Sequence, residues 1–403
     1  MSRLSRVVPI SLALLFTSLL PWGAGAAQQG DLQAIAQRNA AFGFDLYRNL
    51  NGIDGNLFFS PYSISTALAM TWAGAQGRTE IEMREVLHFP TEQSTLHHSL
   101  SGLQNYFDSI LREGDIRLHL ANSLWYQDDH PFLESFFNLI ESHYGAVLFP
   151  VDFVRQTEAV RRAINAWVVQ ETEDKIRELI TPGLLDPTSV LVICNAIYFK
   201  GDWASAFDPE QTREAAFHVT PDREVTVPMM TGEAEFRSSH FDGFSALALP
   251  YEGHDLSMVI LLPDEDTGIA GLGGVLTGER VSGWMRELDR IEPSRLTVQV
   301  PRFTTTSRFE MAEILMAMGM PSAFINADFS GMTGEQELFI SEVVHQAFIE
   351  VNETGSEAAA ATAVVMKRGG VMFIVDRPFL FLIRERNTGS ILFIGRIVDP
   401  SQE

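Results

Sequence analysis

Histidine, cysteine and serine carry much of protein chemistry, and in this 403-residue sequence they are spaced for none of the familiar reactions. His97 and His98 are the only adjacent histidines; nothing nearby completes a metal-ligand pattern, so they read as a surface pair. There is no His-Glu-x-x-His, no Gly-x-Ser-x-Gly elbow and no Walker-type phosphate loop. Gly271-Leu272-Gly273-Gly274 lacks the spacing of a dinucleotide site. The single cysteine, Cys194, rules out a dithiol centre, and its place in the apolar run Val190 to Phe199 marks it as an inert core residue. A dispersed Ser/His/Asp triad stays open, since its members need not be sequence neighbours. No cofactor and no metal are expected.

Chemistry of another kind is available to the stretch from Val351 to Val365. It joins an apolar, strand-like segment to a basic tip, Lys367-Arg368-Gly369-Gly370, through a run of small side chains. Taken alone, the alanines favour a short helix. Three features shift the reading: Gly355 precedes the run, Thr362, Val364 and Val365 are β-branched, and the polarity alternates. Ser356, Ala358, Ala360, Thr362, Val364 and Met366 share one face of a strand, while Glu357 and Lys367 fall on the other. Such a strand would bury an uncharged face and leave both charges in water. The pattern suits a segment that can be an exposed loop and also a buried strand.

The elements around it are densely patterned. Asp31 can cap a helix with Leu32, Ile35, Phe42 and Leu46 on one face. Ser60-Pro61 reads as an N-cap and first helical residue. Pro131 opens a helix ended by Gly145, and another carries Val160, Ile164, Trp167 and Val168. Met311, Leu315 and Met318 lie on a helix closed by Gly319, and strands are expected at Val190 to Phe199, Leu296 to Phe303, Leu338 to Val351, Phe379 to Arg384 and Ser390 to Arg396. Helices early and strands late indicate one α+β domain rather than a βαβ repeat. Against that, the span 353–377 stands out as a long loop of the kind that is usually functional.

At the N-terminus, Arg3 and Arg6 precede an apolar run from Val7 to Leu20, then Ala24-Gly25-Ala26, the pattern of a secretory signal peptide over residues 1–26. The expectation is a secreted protein, extracellular or periplasmic, with no transmembrane segment in the mature chain and a domain over 27–403. Formal net charge is −23 and falls by two more if the leader is lost. With that excess of acid, nucleic acid is not expected as a partner, since phosphate contacts need clustered Lys and Arg.

Longer motifs in order along the chain resemble the serpins, the serine protease inhibitors, in the form of a secreted prokaryotic-type member. Asn56-Leu57-Phe58-Phe59-Ser60-Pro61-Tyr62-Ser63-Ile64, Asn195-Ala196-Ile197-Tyr198-Phe199-Lys200-Gly201-Asp202-Trp203, Val344-His345-Gln346-Ala347-Phe348, Asp376-Arg377-Pro378-Phe379 and Gly389-Ser390-Ile391-Leu392-Phe393 carry the likeness, over roughly Asp31 to Pro400. The resemblance implies a large central sheet, two smaller sheets, surrounding helices and an exposed reactive-centre loop at about 353–377. It implies a metastable monomer that traps a serine protease covalently: the enzyme cuts the loop, forms an acyl-enzyme, and is carried away as the loop inserts into the sheet. Glu353, Gly355, Ser356, Glu357, Ala358, Ala359, Ala360, Ala361 and Thr362 would be the loop hinge. Ser60, Ser63, Asn195 and His345, with Trp203, would form the polar cluster and upper edge where the sheet parts.

Family spacing counted from Gly355 puts the cut bond at Gly369-Gly370, whereas counting back from Pro378 moves it toward Lys367. Long cations fill an acidic specificity pocket, so Arg368-Gly369 and a trypsin-like target are expected, with Lys367 and Gly370 as alternatives. A subtilisin-like or elastase-like enzyme cutting near Val365, Met366 or Gly369 competes. Two other readings stand beside inhibition: a serpin used for binding or folding assistance, and an exported hydrolase.

Overall fold

Two mixed sheets carry the architecture in the computed structural model, which describes residues 22–113, 116–129, 131–336, 338–356 and 371–402. In chain order the strands are β1 (Leu57–Phe59), β2 (Arg117–Gln127), β3 (Val147–Val151), β4 (Leu191–Asp202), β5 (Arg213–Thr220), β6 (Arg223–Phe241), β7 (Phe244–Pro250), β8 (Leu256–Pro263), β9 (Ser294–Pro301), β10 (Phe303–Glu310), β11 (Glu342–Val351), β12 (Gly355–Ser356), β13 (Val371–Ile374), β14 (Phe379–Glu385) and β15 (Ile391–Ile397). One sheet runs β10-β11-β4-β2-β3, with β12 set against β4. The other runs β1-β15-β14-β8-β7-β6-β9-β13, with β5 beside β6. The two smaller sheets expected from the sequence are continuous through β6, which pairs β5 and β9 along its first part and β7 along its last.

The first sheet has an apolar layer on each face. Leu191, Ile193, Ile197 and Phe199 of β4 join the main core, together with Ala347, Ile349 and Val351 of β11. Val192, Cys194 and Ala196 point the other way, into a second core that they share with Val160, Ile164 and Val168 of the helix Phe153–Glu171 and with Ile176, Leu179 and Ile180 beyond it. A strand buried on both faces reads as an unbroken apolar run, as Val190 to Phe199 does. Cys194 is free and fully buried, and burial pushes its thiol far above the usual range.

Beneath the sheet lies the helix α2 (Pro61–Trp72), every residue of which is buried. Ser60 caps it, accepting from the Ser63 N–H at 3.0 Å, with Pro61 in the first turn. Other boundaries differ from the sequence reading. The helix α1 (Trp22–Leu50) extends through the Ala26–Ala27 bond, so Asp31 lies inside it and caps nothing. Pro131 precedes its helix, which spans Glu134–Tyr144 and ends at Gly145 with φ 57°. His97 is not part of a surface pair: it is buried on the helix Gln93–Glu113, with Nδ1 2.6 Å from the Tyr144 hydroxyl, while His98 is exposed. Among the described residues no group of three or more His, Cys, Asp or Glu could hold a metal ion, and no helix is long and apolar enough to cross a membrane.

Candidate functional site

The central contact of the first sheet is parallel. β11 pairs with β4 from Glu342↔Val192 to Phe348↔Tyr198, between neighbours on either side that are antiparallel. Above Phe348 the two strands part. Ile349, Glu350 and Val351 keep their partners on β10, while Gly201 and Asp202 of β4 take new partners, Ser356 and Gly355 of β12. The chain has therefore turned back on itself after β11 and started an antiparallel strand in the opening.

That turn is built from side chains. Asn352 Oδ1 accepts from the Thr354 N–H at 3.1 Å, the Thr354 hydroxyl at 2.8 Å and the Gly355 N–H at 3.3 Å. The Asn352 side chain of the sequon Asn352-Glu353-Thr354 is thus folded into the turn. Glu353 is buried, and its Oε1 accepts from Arg302 Nη2 and Thr212 Oγ1, each at 2.5 Å. Burial alone would raise its carboxyl, but these bonds outweigh it and hold the group below its usual range. Trp203 fixes the backbone from below: its amide donates to Thr354 O at 2.8 Å and its Nε1 to Asn352 O at 3.0 Å. The Trp203 ring stacks on Tyr251 at 4.6 Å, and the Tyr251 hydroxyl lies 3.3 Å from Ser356 Oγ. Ser356 is fully buried, on the face the alternation expected. Gly355 is required by contact, since a Cβ there would sit 2.1 Å from Gly201 O.

Lower on the same seam is a buried polar cluster. Ser60, Ser63, Asn195 and His345 are each fully buried. His345 and Asn195 are seam partners, and His345 Nδ1 hydrogen-bonds Asn195 Oδ1. His345 Nε2 accepts from the Ser60 N–H at 3.2 Å, so the proton of the neutral ring sits on Nδ1, which donates to Asn195. Asn195 Nδ2 donates to Ser63 Oγ at 2.5 Å and to Asn122 Oδ1 on β2. One asparagine thereby ties β2, β4, β11 and α2 together with its hydrogen-bonding capacity used. Burial lowers the His345 pKa to about 3, keeping the ring neutral. Asn122 escaped the sequence reading, which passed over β2 altogether. An asparagine among apolar strand residues, at a position cross-strand from another, was the available signal.

The structure brings Glu353, Gly355, Ser356 and Trp203 together at the top of the seam and Ser60, Ser63, Asn195 and His345 halfway down. It does not join the groups directly. Glu357, Ala358, Ala359, Ala360, Ala361 and Thr362, and the expected cut site at Lys367, Arg368, Gly369 and Gly370, lie outside the described residues.

Two outcomes follow from this geometry. Folded His345 stays neutral down to about pH 3, whereas an unfolded histidine protonates near 6.5. Between those values the unfolded chain binds more protons, so stability falls as pH drops through the window, by at most about 1.4 kcal/mol per unit from this group. His345→Gln, which cannot titrate, should flatten the profile; unfolding midpoints of both proteins across pH 4 to 7 decide it, and parallel curves would refute the assignment. Gly355→Val cannot sit against Gly201 O and should eject β12. The Trp203 amide, which donates to Thr354 O, should then exchange hydrogen at least about tenfold faster, and unchanged protection would contradict the contact.

A family model described as Serpin (serine protease inhibitor) matches residues 37–400. Leukocyte elastase inhibitor from Sus scrofa is 40% identical, over 92% of this chain and 100% of the relative. Serpin B6 from Macaca fascicularis is 38% identical with the same coverage. Among solved structures, uncleaved ovalbumin superposes with a TM-score of 0.84 at 30% identity, over 91% of this chain and 100% of that one. These relatives correct the expectation of export: leukocyte elastase inhibitor and serpin B6 are intracellular serpins that align over their whole lengths, which points away from secretion. The sheet that parts around a returning strand, the polar cluster beneath it and the match along nearly all of the chain agree, and the chain belongs to the serpin family.

Proposed function

We propose that this serpin inhibits serine endopeptidases, as a monomer, by suicide cleavage, acyl-enzyme trapping and insertion of the cut loop between β11 and β4. The observation that carries the reading is β12. Gly355 and Ser356 already occupy the first two positions of a missing central strand, opposite Asp202 and Gly201. Continued in register, that strand sets Glu357 opposite Lys200, Ala358 opposite Phe199, Ala360 opposite Ile197, Thr362 opposite Asn195, Val364 opposite Ile193 and Met366 opposite Leu191. Insertion replaces one parallel ladder by two antiparallel ones, the slightly stronger arrangement per residue.

In this reading Ser60, Ser63, Asn195 and His345 act as a latch rather than as chemistry. Parting the seam breaks the His345–Asn195 bond, and Thr362 arrives opposite Asn195 with a hydroxyl to replace it, so Asn195 is not left unsatisfied. Trp203, with Tyr251, is the floor on which insertion begins. We assign the cut bond to Arg368–Gly369 and the target to a trypsin-like protease. A second reading draws on the relatives named leukocyte elastase inhibitor: an elastase-type enzyme cutting near Val365 or Met366.

Mixing the protein with trypsin-like and elastase-like proteases should give a complex that survives boiling in detergent. Mass spectrometry of the released C-terminal peptide identifies the bond. Cleavage without a complex, by every enzyme tried, would favour a serpin used for binding and reject inhibition. Ser356→Arg should be cut at the same bond yet trap at least about tenfold less enzyme, because the unpaired charge would drive residue 356 out of the buried position it already holds, from which the strand is to grow. Glu357→Arg meets only half-buried Lys200 across the strand, a like-charge contact worth about 0.2–1 kcal/mol, and should trap much more. Equal losses in both would show the face assignment to be wrong.

Stored energy gives an independent check. Loop-cleaved protein should melt above intact protein, since the new strand adds hydrogen bonds along both edges. A scan with no upward shift after cleavage would exclude insertion.

A further inference from the structure

The outer face of the seam carries a second feature at the height where β11 and β4 separate. Tyr198 and Phe348, the last registered pair, present their rings on that face with centroids 6.0 Å apart. Lys175 Nζ stands over both, 5.8 Å from the Tyr198 centroid and 5.4 Å from that of Phe348. Both distances lie within the range of attraction between a cation and an aromatic face. One cation therefore spans the two strands that have to separate.

The turn that delivers Lys175 is held in place from several sides. It follows the helix Phe153–Glu171, where buried Thr172 bonds Val168 O at 2.7 Å and accepts from the Ile176 N–H at 3.2 Å. Glu173 and Asp174 both take left-handed backbone angles, φ 49° and 64°, which residues with a side chain adopt at a cost. Glu173 Oε1 reaches β2, 3.4 Å from Arg117 Nη1 and 3.5 Å from His119 Nε2. His119 in turn stacks on Tyr198 at 5.6 Å. The turn is thus stapled to β2 on one side while its lysine covers β4 and β11.

We propose that Lys175 is a positioning residue that holds the top of the seam closed and sets the rate at which the sheet opens. This rests on the proposed insertion for its biological consequence. An added strand would drive the two rings roughly 10 Å apart, two strand spacings, and place a loop residue between them. The lysine then covers one ring at most. Its contact stabilises the closed sheet and not the filled one, so its removal should speed opening without weakening the inserted form.

The test compares intact wild-type protein with Lys175→Met, which keeps the chain length and removes the charge, and Lys175→Arg, which keeps the charge. Hydrogen exchange at the β4 and β11 amides of the seam should rise about two- to thirty-fold in Lys175→Met, with the amides between β2 and β3 unchanged. Lys175→Arg should stay close to wild type. Phe348→Leu, which removes one ring and leaves the lysine, should reproduce the same local rise should Lys175→Met fold poorly. A synthetic peptide spanning Gly355–Met366, added to intact protein, should enter Lys175→Met faster by a similar factor, while loop-cleaved wild type and Lys175→Met melt alike. Unchanged seam exchange in both Lys175→Met and Phe348→Leu overturns the clamp, as does an equal rise in Lys175→Arg. Faster seam exchange with no peptide uptake by any protein upholds the clamp and instead removes the insertion reading.

Discussion

The parallel ladder between β11 and β4 constrains the rest of the molecule. A parallel pair has slanted hydrogen bonds and is slightly weaker per residue than an antiparallel one; here it lies at the centre of a sheet with antiparallel neighbours on either side. It also stops short. Above Phe348 and Tyr198 the facing edges of β11 and β4 have no partner in each other, and an unpaired strand edge invites another strand. The chain supplies the start of one from its own next residues, and the Asn352 turn, the Arg302–Glu353 pair and the Trp203 amide hold it there. The structure is thus a closed sheet with a two-residue antiparallel strand, β12, already paired to the upper end of β4.

Such an arrangement persists only if opening is opposed lower down, and the buried polar cluster is suited to that. Breaking the His345–Asn195 bond without replacement would leave buried groups unsatisfied, at about 1–3 kcal/mol each. An apolar seam would lack that specific barrier, since sliding hydrophobic surfaces exchange one contact for another. The neutral ring matters as much as the bond. With Nε2 accepting from Ser60 and Nδ1 donating to Asn195, the histidine links the cap of α2 to both seam strands, and a charged ring would lose the acceptor.

Much of the fold was legible because the elements obey simple periodicities. Ser60-Pro61 announced α2, Gly145 and Gly319 closed helices where expected, and the apolar run at Val190 was the doubly buried β4. The alternation through the hinge set Ser356 on the face that is buried. Other parts were hidden for physical reasons. Asp31 is a good capping residue, yet α1 continues past it, since a local capping preference cannot show where a helix begins. β2 is mostly half-buried along its first part, so its apolar face is not distinct in the sequence, and Asn122 was lost with it. Arg302, Thr212 and Tyr251 stand far from the hinge in sequence, and only the folded chain reveals that they hold it.

On the proposed insertion, the composition of the hinge also has a cause that the sequence alone did not supply. The alternation suggested that only one face of an inserting strand needs to be small, with water on the other. Yet the outer face of β4 is not open: Val192, Cys194 and Ala196 are fully buried in the second core. A strand arriving beside β4 in the register of β12 would bring Ala361, Ala363 and Val365 beside Ala196, Cys194 and Val192 on the side of the second core, and Ala358 and Ala360 against the main core. Both faces of the middle of the segment must then be small and uncharged, because each faces an existing close-packed layer that yields little. Charge is then tolerable only at the two ends, beyond the reach of the second core, and Glu357 and Lys367 are where the charges fall. On the proposed insertion, a run of alanines with charged ends is what two cores would demand rather than one.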